Sequence, residues 1–326
     1  MAEKIGWGII GTGNIAHQFA KGLKAVDDAE LVAVGSRSQE SADEFGDEFD
    51  VPNRHATYEA LAGDPDVDAV YISTPHPMHI HNAVLCIEAG KAVLVEKPFT
   101  VNAADAKRIL DAGRNNGVFV MEAVWTRFLP AHMKIKELVA EGAIGEVRMV
   151  QVDFGFRTQL EPEHRLFAPE LAGGALLDVG VYPINMAWMM LGEPQSIVSA
   201  GDIGQTGVDE QAAFIFTYPQ GELAVLSCAI RTDTRHEATI YGTEGRIHIP
   251  RHWWKAEKFT MQRGADVQEF EFPFDGNGYE YEAREVGRCL REGVLESPIM
   301  PQEDSLNIMR AMDTIRAQWG LTYPME

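Results

Sequence analysis

Short apolar runs rich in β-branched residues alternate with amphipathic stretches through the first 123 residues. Lys4–Ile10, Glu30–Gly35, Asp68–Ile72, Ala92–Val95 and Val118–Met121 have the composition of strands buried on both faces, as in a parallel sheet. Asn53–His55 reads as a short edge strand. Helical spacing fills the gaps, at Ala16–Val26, Ser38–Phe49, Thr57–Ala62, Asn82–Ala89 and Ala103–Asn115. This alternation predicts an α/β domain of five or six parallel strands that closes near Glu122. From Thr126 the pattern changes. Leu129–Glu141 is helical, and Glu146–Phe154 alternates like a long strand with one wet face. Ser196–Ala200, Gln211–Tyr218, Leu223–Ile230 and Ala238–Tyr241, separated by turns, predict an open, mainly antiparallel sheet. Helices follow at Glu280–Arg291 and Asp304–Trp319. The expected division is therefore 1–123 and 124–326.

At 326 residues, 45% of them hydrophobic, the chain is long enough for two domains with sizeable cores. The net charge of −21 is spread over both halves, which argues against nucleic acid or an anionic membrane as partner. Cys86, Cys228 and Cys289 are far apart, without a CxxC, and Cys86 and Cys228 lie in apolar runs suited to inert packing. The start of the chain lacks a secretory pattern. The apolar stretch Ala175–Leu191 is interrupted by Asp178, Pro183 and Asn185, so no membrane span is expected. A soluble, cytoplasmic protein is the expectation.

Candidate chemistry begins directly after the first strand. Gly11-Thr12-Gly13-Asn14-Ile15-Ala16 is a G-x-G-x-x-A turn with a strand before it and a helix after it. Its glycines permit close backbone approach, and free N–H groups at the helix start attract a pyrophosphate. The second strand ends in Ser36-Arg37 where an NAD site would place an acid. A small hydroxyl followed by arginine suits a 2′-phosphate, so NADP rather than NAD is the expected cofactor. Ser73, Thr74 and His76, at the end of the Asp68–Ile72 strand, are expected beside it. His79 is expected to touch cofactor or substrate. The H-x-x-H-x-H run from His76 to His81 lacks accompanying acids or cysteines, and no metal is expected.

The strand Ala92–Val95 ends in Glu96-Lys97-Pro98. Ligands of open α/β sheets sit beyond the carboxyl ends of the strands, so Glu96 and Lys97 are placed for cofactor and substrate. In the second half, the irregular segment from Arg157 to Gly173 is long enough to line a pocket, with Phe154, Arg157 and His164 as candidate contacts. Trp254, in a loop after the hairpins, is another, and Trp125 joins the expected substrate set. Asp178 and Tyr182 are four apart, so on a helix they share one face, an acid and a phenol on an otherwise apolar element.

Together, Gly11-x-Gly13-x-x-Ala16, Glu96-Lys97-Pro98 and Gly173-Gly174-Ala175-Leu176-x-Asp178-x-Gly180-x-Tyr182 resemble the glucose-fructose oxidoreductase/inositol dehydrogenase (Gfo/Idh/MocA) family. The stretches Met121–Phe128 and Ala172–Asp178 look most like its dihydrodiol and NADP-dependent D-xylose dehydrogenase branch. The resemblance implies a Rossmann domain, a second α/β domain whose open sheet commonly mediates homo-oligomers, and a catalytic Lys97. Many members carry histidine where this chain has Tyr182, and tyrosine agrees with that branch. The implied activity is hydride transfer between NADP and a sugar, a vicinal diol or the matching carbonyl compound. Tyr182 would exchange the hydroxyl proton, with Asp178 beside it. Lys97 would hold the substrate oxygen and lower the phenol's pKa from its usual ~10. A non-catalytic NADP-binding regulator is the competing reading, and the pairing of Lys97 with Tyr182 speaks against it.

Overall fold

The computed structural model describes residues 4–326, so residues 1–3 of the expected first domain lie outside the described residues. The chain forms two compact units, one up to Trp125 together with Asp275–Leu306, the other Thr126–Phe274 with Asn307–Glu326.

In the first unit, β1 (Ile5–Ile10), β2 (Ala29–Gly35), β3 (Asn53–His55), β4 (Ala69–Ile72), β5 (Ala92–Glu96) and β6 (Val120–Ala123) form one sheet in the order β3-β2-β1-β4-β5-β6. Every pairing is parallel. The connections are α1 (Asn14–Leu23), α2 (Gln39–Phe49), α3 (Tyr58–Ala62), α4 (His79–Glu88) and α5 (Ala103–Asn116). β4, β5 and β6 are buried along their whole length, as a sheet covered on both faces requires. The helices turn apolar stripes toward it, such as Ala16, Phe19, Ala20 and Leu23 of α1. Strand order reverses at β1, with β2 on one side and β4 on the other. The carboxyl ends of these strands are thus where such a fold holds ligands.

The second unit contains α6 (Pro130–Ala140), β7 (Val147–Gly155) and α7 (Val181–Leu191), followed by β8 (Ser196–Ile203), β9 (Asp209–Thr217), β10 (Leu223–Ala229), β11 (Ala238–Gly242), β12 (Arg246–Ile249), β13 (Lys258–Arg263) and β14 (Asp266–Glu271). Its eight-stranded sheet runs β14-β13-β12-β11-β7-β10-β9-β8. Alternation is strict on β9, where Phe214 and Phe216 are buried while Ala213 and Ile215 are exposed. The sheet is mixed, because β7 inserts beside β10 in parallel register, a pairing that hairpin order alone does not reveal. The three strands β12 to β14 extend it beyond Tyr241. β14 (DVQEFE) is almost wholly exposed and so carries little of the periodic apolar signal. The apolar segment before Leu191 is two elements, a wide π-type turn over Leu176–Gly180 leading into α7.

The expected division into 1–123 and 124–326 needs one correction. α8 (Glu280–Glu292) belongs to the first unit, whereas α9 (Gln302–Trp319) contributes Ile308, Met309, Met312 and Ile315 to buried positions. Arg284 donates to the Ala25 carbonyl at 2.8 Å, Asn277 to that of Gln18 at 2.9 Å, and Arg291 pairs with Asp28 at 2.6 Å. Periodicity shows that α8 has an apolar face; it does not show which sheet that face covers.

Candidate active site

In the first unit, polar groups collect at the carboxyl ends of β1, β4 and β5. Gly11 has φ +97°, and a Cβ there would lie 3.1 Å from the Ser73 hydroxyl and 3.2 Å from its carbonyl, so the turn demands glycine twice over. Ser73 donates from its hydroxyl to the Ile10 carbonyl at 2.9 Å, tying the ends of β4 and β1 together. Gly13 begins α1 with no side-chain cap, and a Cβ there would meet nothing within 4 Å. The start of α1 is thus left without a side-chain cap and with room beside Gly13, which fits a pyrophosphate at the helix N-terminus. Ser36 is buried at the end of β2 and Arg37 is exposed beside it. Arg37 lies close enough to Tyr58 to act on its hydroxyl; burial raises that pKa and the guanidinium opposes the rise.

The residues around Lys97 are held from below. Glu96 is buried, and its carboxylate accepts from the Tyr71 hydroxyl and, at 3.1 Å, from the Lys97 amide. Glu96 therefore faces inward as a brace for the strand end, in contrast to the cofactor contact expected of it. Lys97 follows at an intermediate level of exposure, joined to Pro98 by a cis peptide bond. His79 also departs from expectation. It is fully buried, with Nδ1 at 3.0 Å from the Pro98 carbonyl and Nε2 at 2.8 Å from that of Thr74, so both ring nitrogens are spent on backbone. Burial lowers its pKa, and those carbonyls oppose the shift. His79 staples the end of β4 to the chain after Lys97. Thr74 is buried and accepts from Asn82 at 3.0 Å, while His76 remains partly exposed. Trp125 stacks on Tyr279, with centroids 4.6 Å apart and planes 8° from parallel. Sequence reasoning did not single out Tyr279, although the Gly276-Asn277-Gly278-Tyr279 turn ahead of a helix was there to be read.

In the second unit, Asp178 and Tyr182 are both buried at the head of the helical segment. Arg165 donates to Asp178 at 2.8 Å. Tyr182 packs against Phe154 at 5.5 Å between centroids, and Phe154 stacks on Trp254 at 3.8 Å. His236 joins this cluster, 5.3 Å from Phe154 and 5.1 Å from Trp254. It was missed because the loop holding it lacks a periodic signal; His236 has φ +58° and is fixed by its ring nitrogen on the Gly155 carbonyl. Arg157 and His164 stay apart from the cluster, both exposed. Arg157 bridges to Arg231 through the backbone, and the His164 ring accepts from the Leu166 amide at 3.3 Å. Among the described residues, no group of three or more histidines, cysteines or acids is arranged to hold a metal ion.

A parallel six-stranded sheet with a glycine turn into an uncapped helix defines a dinucleotide-binding α/β protein. Residues 5–124 match the oxidoreductase family with an NAD-binding Rossmann fold, and residues 132–248 match the GFO/IDH/MocA C-terminal domain. The chain belongs to the Gfo/Idh/MocA oxidoreductase family. It is 36% identical to trans-1,2-dihydrobenzene-1,2-diol dehydrogenase of Mus musculus, over 98% of each chain. The Xenopus tropicalis protein of that name is 37% identical, over 99% of this chain and 100% of the relative. Among solved structures, the aldose-aldose oxidoreductase of Caulobacter crescentus, complexed with glycerol, superposes with a TM-score of 0.90 at 26% identity over 98% of both chains. A 3-ketoreductase from Actinomadura kijaniata, in complex with NADP and TDP-benzene, gives 0.86 at 28% identity over 97% of this chain and 98% of that one.

Proposed function

We propose that the protein is an NADP-dependent oxidoreductase that transfers a hydride between the nicotinamide and a sugar, a vicinal diol or the corresponding carbonyl compound. Full-length similarity to diol dehydrogenases carries this reading, together with the related aldose and keto-sugar enzymes of the same fold. The bound nicotinamide supplies the hydride acceptor or donor. The amides of the Gly11–Ile15 turn hold the pyrophosphate, and Ser36 and Arg37 take the 2′-phosphate through charge-assisted hydrogen bonds. Lys97 hydrogen-bonds the substrate oxygen, and Tyr182 exchanges the proton on it. Asp178, held by Arg165 on the same helical segment as Tyr182, orients the substrate hydroxyl. Phe154 and Trp254 give the sugar or diol ring an apolar wall, and Trp125 another.

Assembly and location complete the reading. Val198, Ile215 and Val225 line up across β8, β9 and β10 on the outward face, Val198 opposite Ile215 and Val225 opposite it on the other side. Val198 is 64% and Ile215 44% exposed, an apolar row suited to the same row of a second copy. The protein forms a homodimer, or a larger oligomer, through this face and works in the cytoplasm. A mass near 36 kDa by light scattering at micromolar concentration would contradict that assembly. For the reaction, the test is absorbance at the reduced-nicotinamide band with NADP and NAD against a panel of sugars and diols. Turnover with NADP is expected; NADP binding with no turnover on any member would favour a regulator.

A further inference from the structure

The segment bearing Asp178 and Tyr182 is gripped at its start by two residues far away in sequence. Asp209, the first residue of β9, is fully buried, and its Oδ2 accepts from the Leu176 amide at 2.7 Å across 33 positions. Gly174 has φ +116°, and a Cβ there would stand 2.1 Å from Asp209 Oδ1, so the carboxylate fills the place a side chain would take. On the other side of the turn, the Tyr323 hydroxyl donates to the Gly173 carbonyl at 2.6 Å, across 150 positions. The Asp178 amide in turn donates to the Gly174 carbonyl at 3.4 Å, which links the gripped turn directly to the acid.

Both grips are themselves anchored. Tyr323 is buried in the tail after α9, with the Arg316 guanidinium 5.1 Å over its ring. Arg316 is also buried and pairs with Glu326 at 2.7 Å and Asp313 at 2.7 Å. Glu326 accepts from the Tyr323 amide at 2.8 Å, closing the tail on itself. Burial pushes the Asp209 carboxyl up to about 7, opposed by the Leu176 and Ala175 amides and by the Arg316 charge. Facing it from β10 is Cys228, whose thiol pKa is raised by burial first and by Asp209 second. Burying an acid carries a penalty that a neutral side chain would avoid, and the Leu176 amide is the partner that offsets it here.

We propose that Asp209 and Tyr323 are positioning residues that clamp the Gly173–Leu176 turn from β9 and from the carboxyl-terminal tail, and so set where Asp178 and Tyr182 stand. The proposal rests on the reaction put forward above. A displacement of about 1 Å at a reacting group can lower turnover ~10²-fold without touching ligand affinity.

The test compares Asp209→Ala, Asp209→Asn and Tyr323→Phe with wild type, each assayed well below its melting temperature. Asp209→Ala should lower kcat ~10-fold or more. The NADP dissociation constant should stay unchanged, since the pyrophosphate turn lies in the other unit. Asp209→Asn keeps an acceptor for the Leu176 amide and should recover most of the loss. Tyr323→Phe should lower kcat several-fold, and it carries the test if Asp209→Ala does not fold. Amide hydrogen exchange over 174–182 should quicken in each variant that loses kcat, with residues 5–35 unaffected. Wild-type kcat in Tyr323→Phe or in folded Asp209→Ala overturns the proposal, as does a lowered kcat with unchanged exchange over 174–182. A wild type that turns over no member of the panel contradicts the reaction instead, and exchange over 174–182 then decides the clamp alone.

Discussion

The two units hold their chemistry in different ways. In the first, Ser73 and Lys97 follow strand ends and are tied to Ile10 of β1 and Glu96 of β5, while His79 at the start of α4 holds the chain after Lys97. In the second, Asp178 and Tyr182 sit on one helical segment whose start is fixed by Asp209 and Tyr323, distant in sequence. Adjacent strand ends therefore fix the polar groups of the first unit, and two side chains gripping one backbone turn fix the helical segment of the second.

The largest effect should come from the strand-end lysine. Lys97→Met keeps the apolar stem and deletes the charge, and kcat should fall ~10²–10⁴-fold with the fold and NADP affinity intact. A near-normal kcat in that variant would remove the first unit from the proton chemistry. Next in size is an acid effect that separates the two units. Each buries a histidine, but His79 has two carbonyl partners that oppose the effect of burial, while burial takes His132 on α6 down to about 3. A folded pKa below the unfolded value means stability that is fully present above about 6.5 and lost as pH falls toward 3. His132 can thus contribute a slope of up to about 1.4 kcal/mol per pH unit across that window. The second unit should lose structure first on acidification, and His132→Gln should flatten the dependence of melting temperature on pH. An unchanged slope in His132→Gln would assign the acid sensitivity to other groups.

Gly174→Ala tests the long-range anchor by stability. The added methyl meets Asp209 Oδ1 at 2.1 Å in a backbone conformation of φ +116°, so a loss of ~2–4 kcal/mol is expected by chemical denaturation. Gly13→Ala, where a Cβ meets nothing within 4 Å, should cost far less stability and should weaken NADP binding instead. Equal losses in both variants would erase the contrast between the units. The smallest effect expected is on cofactor choice. Ser36→Asp with Arg37→Ile should shift preference toward NAD by roughly tenfold or more, through loss of a charge-assisted contact worth ~1.5–3 kcal/mol. Equal dissociation constants for NAD and NADP in the wild type would contradict this assignment of the end of β2.

This contrast also explains what the sequence could disclose. The parallel sheet was legible because every strand but β3 (Asn-Arg-His) is a compact apolar run and the glycine turn follows β1 without a gap. Lys97, Asp178 and Tyr182 stood out because a charge or a phenol interrupts an apolar element. The inward turn of Glu96 and His79 was not legible, since burial of a strand-end side chain depends on what packs over it, here Tyr71 and the Thr74 and Pro98 carbonyls. Asp209 was invisible for a related reason: an acid at the start of an alternating strand looks like any exposed strand terminus until β9 is placed against the Leu176 amide. Nor does the period of α8 reveal that its Arg284 and Arg291 reach Ala25 and Asp28, or that Asn277 just before it holds Gln18.

The most direct measurement is the NADP-linked kcat of Tyr182→Phe, taken with the NADP dissociation constant and melting temperature of the same variant and with the Lys97→Met double mutant. Removing the hydroxyl keeps the ring against Phe154, so fold and NADP affinity should survive while kcat falls ~10²–10⁴-fold. Groups that act as one unit are non-additive, and the double mutant should be little worse than the poorer single variant. A Tyr182→Phe enzyme with near-normal kcat, or a double mutant whose loss is the product of the two single losses, would contradict a proton transfer shared by Tyr182 and Lys97.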